Sequence, residues 1–173
     1  MRSILNALDT AFLALDQRSR GLLNRLDDEG LFSKRIKVDD GSGLLSCAEC
    51  IVRSAAKVEQ TFGGITTRLW DDPFEWTLPE KLGDKRSILQ YLDEVAQTRA
   101  RGMTFIRSDA ELAKLIQAPV EMKTLHEVLT TCSDYAHERL DRAEAASQTT
   151  CASQPAWDWA LIRVRATDPT KSE

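Results

Sequence analysis

Histidine is scarce in this 173-residue sequence: His126 and His137 stand alone against 27 acidic and 23 basic side chains. A three-histidine metal centre within one chain is therefore excluded. Cysteine is nearly as sparse, with four residues at 47, 50, 132 and 151. Without a recognisable secretion signal, they read as reduced thiols and not as a disulfide framework. Basic charge is not in surplus either. The formal net charge of -4 leaves nothing to neutralise phosphates, so DNA and RNA are not expected partners. No apolar run of about 18 residues occurs, which excludes a membrane-spanning helix and with it an integral membrane role. The opening stretch MRSILNALDTAFLALD lacks the unbroken core of a signal peptide, because Asp9 and Asp16 interrupt it and no small-residue cleavage site follows. Cytoplasm is the expected location. A Gly-rich phosphate loop, a nucleophile elbow, a His-Glu-x-x-His motif and internal repeats are all missing from the pattern.

What is present is helical periodicity in a chain of ordinary globular composition, 42% hydrophobic and 29% charged. Its length suits one domain that buries its core without covalent staples. Met1, Leu5, Leu8, Phe12, Leu15, Ser19, Leu22 and Leu26 alternate steps of four and three, which predicts one continuous helix ending before Gly30. Polar residues Asp39, Asp40, Gly41 and Ser42 offer caps for a second helix. Its seam runs Leu44, Ala48, Ile51, Ala55, Val58 and Phe62, with Gly63-Gly64 as the expected stop.

From Gly63 to Asp84 the periodicity dissolves around Pro73 and Pro79, a connection of roughly twenty residues and long for a compact domain. Extended, it can run the whole length of a helix of about 30 Å, so helices two and three can lie parallel. Asp84 is the expected cap of a third helix with the seam Ile88, Leu92, Val95, Arg99, Met103 and Ile106, widened by Leu89 and Ala96. Ser108 with Glu111, and Thr124 with Glu127, match capping boxes. The first predicts a short helix ending before Pro119, the second a long helix through Leu125, Val128, Leu129, Cys132, Ala136, Leu140 and Ala143 to about Gln148. Beyond it Ile162 and Val164 alternate with arginines as in an extended segment, with Trp157 and Trp159 expected to pack on the helices. The final residues are expected to be disordered.

The fold class expected is all-α: a four-helix bundle at 1–148, with a long crossover between helices two and three, and a short non-helical extension at 149–173. In element order, and in the segments GDKRSILQYLDEVAQTR, SDAELAKLI and TLHEVLTTCSDYAHERLDRAE, the chain resembles the DinB-like family of metal-dependent bundle proteins. The resemblance spans about residues 1–148 and implies an up-down-down-up arrangement. It also implies a divalent metal held by one histidine on helix two and a histidine pair four apart on helix four. That triad is degenerate here. One register places Tyr135 and Arg139 at the pair; others place Asp134 and Glu138, or Ser133 and His137. Helix two contributes Cys50 or, in another register, Arg53. His126 and His137 lie eleven residues apart, about 16 Å along a helix, and cannot share an ion. Tyr135 and Arg139 are preferred because they flank the apolar stripe through 132 and 136.

Cys47-x-x-Cys50 is the sharpest local motif, suited to zinc or dithiol chemistry. Its placement about one turn inside helix two and its lack of further ligands favour small, partly buried residues instead. His126 and His137 suit proton transfer, but solvated helix-face residues are the plainer reading. Arg99 and Arg139 fall on or beside apolar seams, where a charge requires a carboxylate such as Glu49, Glu59, Asp93, Glu94 or Asp134, or an anionic ligand. Trp70, Phe74 and Trp76 can close over a pocket or simply pack on the helices. The functional expectation is a metal-free small-ligand binder or homodimeric interaction module, with Tyr135, Arg139, Arg99, Trp70 and Trp76 as the ligand-contacting set. The alternative is a transferase or isomerase acting on an electrophilic small molecule. It would depend on thiol chemistry or on zinc, nickel or iron, with Cys50 and His137 as metal ligands.

Overall fold

In the first helix, α1 (Ser3–Arg25), the seam buries Leu5, Phe12, Leu15 and Leu22 and leaves Leu8 half-buried, while Leu23, outside the seam, is buried as well. Ser19, its one polar member, is satisfied locally by donating to the Leu15 carbonyl at 2.9 Å. The computed structural model describes residues 2–33, 35–38, 43–73 and 83–148, and over these the chain is mostly helical. Ile162, Val164, Trp157, Trp159 and Cys151, the expected caps at 39–42, and Phe74 and Trp76 lie outside the described residues.

The start of α1 has no capping side chain of its own. Its free amides are met from 104 residues away, where Asp109 accepts from the Leu5 N–H at 3.0 Å and from the Ser3 hydroxyl at 3.3 Å. Those bonds, led by the one from Leu5, hold the Asp109 carboxyl below its ordinary pKa. At the other end α1 stops at Leu26, whose backbone is extended. Gly30 is not the stop. It sits in a π-helical turn (Glu29–Ser33), its N–H donating to Asp27 Oδ1 at 2.8 Å.

Two small hairpins interrupt the helical pattern. Strands β1 (Arg35–Val38) and β2 (Gly43–Ser46) pair antiparallel, with Ile36 opposite Leu45, and deliver the chain to the next helix. Leu44 therefore lies in a strand, exposed, and not on the helical seam. The cap is Ser46: its Oγ accepts from the Glu49 N–H at 3.1 Å, while the Glu49 carboxylate accepts from the Ser46 N–H at 2.6 Å. Strands β3 (Leu115–Gln117) and β4 (Met122–Thr124) form the second hairpin, after a 3-10 turn (Asp109–Ala113) that stands where a short helix is predicted.

Helix α2 (Cys47–Thr67) is the most enclosed element, burying Ala48, Cys50, Ile51, Val52, Ala55, Ala56 and Phe62 among others. It runs straight through Gly63 and Gly64, the predicted stop, and ends on Arg68 in the left-handed conformation with φ 62°. Gly64 serves packing instead: a Cβ there would lie 2.5 Å from Trp70 Cε3, so its absence admits the indole. Helix α3 (Lys85–Phe105) starts as predicted on Asp84, which accepts from the Ser87 N–H at 2.7 Å. Helix α4 (Leu125–Gln148) starts on the predicted Thr124–Glu127 box, with bonds of 3.1 and 2.8 Å.

Phe12 of α1 meets Phe62 of α2 edge-on with centroids 5.1 Å apart. Phe62 also lies against Gly102 of α3. Arg20 of α1 pairs with Asp93 of α3 at 2.8 Å, while Arg18 pairs with Asp141 and Glu144 of α4 at 2.6 and 2.8 Å. Tyr91 of α3 donates its phenol proton to Glu59 of α2 at 2.6 Å. Among the described residues no helix is long and apolar enough to cross a membrane.

Candidate functional site

Arg53, Lys57 and Gln60 recur at intervals of four and three on α2, which places them on one face of that helix. The facing surface belongs to α4. Two side-chain bonds, one buried and one part-buried, cross between the helices. Ser54 Oγ donates to the Ala136 carbonyl at 3.0 Å, and Cys132 Sγ approaches the Lys57 carbonyl at 3.5 Å. Small residues at these crossings, Ala55, Ala56, Cys132 and Ala136, allow the backbones to come close.

Beside that seam opens a cleft of about 150 Å³ lined by Arg53, Ala56, Lys57, Gln60, Asp72 and Tyr135. Tyr135, half-buried, forms its α4 wall. Two cations lie over its ring: Arg139 Cζ at 4.8 Å from the centroid and Lys57 Nζ at 5.9 Å. Arg139 is only 2% exposed, so its charge acts in a region that water screens poorly. Arg53, Arg139 and Arg142 all reach the field of Cys50, where each opposes the rise in the thiol's pKa. Arg53 and Lys57 thus bring basic groups to the lining, with Asp72 as its one carboxylate.

The expected pairing of Tyr135 with Arg139 is present in space. The other expected members are not gathered with it. Arg99 is held by Asp9 of α1, a partner outside the set expected from helices two to four, and it faces a separate small cavity beside Phe12, Ser54 and Leu92. Trp70 does not line this cleft: its carbonyl accepts from Gln60 Nε2 at 3.3 Å while its indole covers Gly64. Lys57 and Gln60 fall outside the expected set, although their spacing from Arg53 is legible in the sequence.

Cys50 and His137, the pair expected to hold any metal, are not gathered into a ligand set. His137 shares a face of α4 with Asp141 and Glu144, which reach toward Arg18 of α1. The charges that act on the Cys50 thiol are those of Arg139, Glu49, Arg142 and Arg53. His126 is exposed on the first turn of α4. Among the described residues no group of three or more His, Cys, Asp and Glu side chains is placed to hold a metal ion.

Cys47 and Cys50 occupy the first turn of α2, not a position one turn inside it, because Ser46 is the cap. A helix start ordinarily favours the thiolate. Burial wins here. It pushes the Cys47 thiol up to about 12, helped by Cys50, and the Cys50 thiol up to about 11, against the opposing pull of Arg139. Burial also raises Cys132 to about 11. All three stay protonated in the folded state at pH values where an unfolded thiol, titrating near about 8.5, ionises. Folding stability from these groups is therefore complete below about pH 8.5 and is lost as pH rises toward 11 and 12. The expected result with a disulfide-exchange thiol reagent at pH 8 is negligible labelling of Cys47, Cys50 and Cys132 until denaturant is added, read site by site by peptide mass spectrometry. Rapid native labelling of Cys50 would reverse this reading.

Comparison with protein-family models, with curated proteins and with solved structures yields no match.

Proposed function

We propose that the four helices form an up-down-down-up bundle, and that this bundle binds a small anion without a metal in the cleft between α2 and α4. The topology is supported by the rungs between helices. Arg25 at the end of α1 lies near Cys47 at the start of α2, while Phe12 meets Phe62. Ser54 and Lys57 of α2 meet Ala136 and Cys132 of α4, residue numbers rising on one side as they fall on the other. Arg20 meets Asp93, and Arg99 meets Asp9, in the same opposed sense.

The observation that carries the binding role is the Tyr135 wall with Arg139 and Lys57 over its ring. An anion entering beside Lys57 gains a charge-assisted hydrogen bond in a partly desolvated site, ordinarily about 1.5–3 kcal/mol. The raised thiols count against a thiol-dependent transferase, because such a reaction needs thiolate at working pH.

Inorganic phosphate and acetate, titrated calorimetrically into untagged protein, provide the test. The expected result is one anion per chain, unaffected by a chelator, with affinity falling about tenfold or more in Lys57→Gln. About one zinc, nickel or iron per chain by elemental mass spectrometry, or no anion uptake at all, would overturn the proposal.

A further inference from the structure

Helix α2 ends on a residue that the backbone alone would not choose. Arg68 caps it at φ 62°, ψ 15°, the left-handed region where glycine or asparagine is the unstrained choice. It is the only non-glycine residue at positive φ among the described residues. Its side chain lines a groove of about 440 Å³ between the ends of α2 and α3, the 3-10 turn and the β3–β4 hairpin. This groove is separate from the α2/α4 cleft, with no lining residue in common.

The groove is of small-molecule size, and its floor is apolar and open. Phe105 is 60% exposed, Leu115 63% and Met122 52%, three large side chains gathered at one end of the molecule. Such a gathering ordinarily marks a binding surface. The charges at its rim are unequal. Lys114 is already matched by Glu111 at 2.6 Å, whereas Arg68 makes no side-chain hydrogen bond or ion pair among the described residues.

We propose that this groove binds a small amphipathic anion, with its apolar tail over Phe105, Leu115 and Met122 and its carboxylate on Arg68. The occupant is a free molecule with one anionic head and a chain of medium length. A strained arginine in place of glycine is explained by the use of its side chain. The same strain gives an unusually clean variant, because Arg68→Gly removes the charge while relaxing the backbone.

The test uses decanoate as probe below its micelle concentration, with decan-1-ol as the uncharged control, on the full chain. Decanoate is expected to bind one to one. Arg68→Gly should weaken it at least tenfold while leaving decan-1-ol affinity unchanged and the melting temperature equal or higher. Phe105→Glu should abolish both, and saturating phosphate should leave decanoate affinity unchanged, which separates this groove from the cleft beside Lys57. Equal decanoate binding by wild type and Arg68→Gly would overturn the proposal, as would no binding. Two further results would also overturn it by assigning the groove another occupant. One is concentration-dependent self-association that Phe105→Glu removes, which gives the groove to a second copy. The other is hydrogen-exchange protection of Phe105 and Leu115 lost on deleting residues 149–173, which gives it to the chain's own end.

Discussion

Phe62→Ala lowers the unfolding free energy by about 3–5 kcal/mol, the largest single-residue loss expected in the molecule. Phe62 is fully buried and stands where three helices meet. Its ring meets Phe12 of α1 at an interplanar angle of 78°, and its Cβ, Cγ and Cδ1 face the bare backbone of Gly102 on α3. Removing the ring therefore forfeits its transfer energy and an aromatic pair, and leaves a void that helices tied together elsewhere cannot close. For a domain whose total stability is about 5–15 kcal/mol, a loss of that size leaves a protein near the edge of folding. Urea denaturation is the measurement, with the midpoint falling and the slope unchanged. A Phe12→Ala partner variant isolates the aromatic pair, with an expected coupling of about 0.5–1.5 kcal/mol. A loss below about 1.5 kcal/mol for Phe62→Ala would mean that α1 and α3 collapse onto the gap.

Much of the helical skeleton is legible because it is written locally. The four-and-three seam of α1, the Asp84 cap and the Thr124–Glu127 box each need only a few consecutive residues, and each is found where read. What escapes such a reading is long-range or carries two meanings. Asp109 caps α1 across 104 residues, and Asp9 neutralises Arg99 across 90, so no short window along the chain contains either pair. Leu44 and Leu45 fit a helical seam and a strand equally well. The alternation of Arg35, Ile36, Lys37 and Val38 is the strand signal, four residues long and ahead of the helical seam. The site follows the same division. Tyr135 and Arg139 are legible from their place beside the α4 stripe, whereas Lys57 and Gln60 gain meaning only when α4 is laid against α2.

Glycine shows the two-meaning problem most sharply, and it leads to a prediction of sign. In a helix interior Gly→Ala ordinarily stabilises by about 0.5–1 kcal/mol, because alanine restricts the unfolded chain and favours the helix. At Gly21 of α1 and Gly63 of α2 the methyl carbon that alanine adds would meet nothing within 4 Å, so both substitutions should raise stability by that amount. At Gly102 the new carbon would lie 2.5 Å from Phe62 Cδ1 and 3.1 Å from Phe62 Cβ. Phe62 is enclosed and cannot retreat, so overpacking of about 1–3 kcal/mol outweighs the helical gain and Gly102→Ala destabilises. Gly64→Ala meets the Trp70 indole instead, which is only half-buried and can swing outward. Its cost should be smaller than at Gly102, with a red shift of tryptophan emission that Trp70→Phe removes. The decisive control is Phe62→Leu, which shortens the obstruction: in that background Gly102→Ala should cost less than in the wild type. An unchanged cost would place the strain in the α3 backbone and not in the Phe62 ring. These four helical glycines divide by what faces them, two open and two occupied, a distinction that periodicity along the chain does not encode.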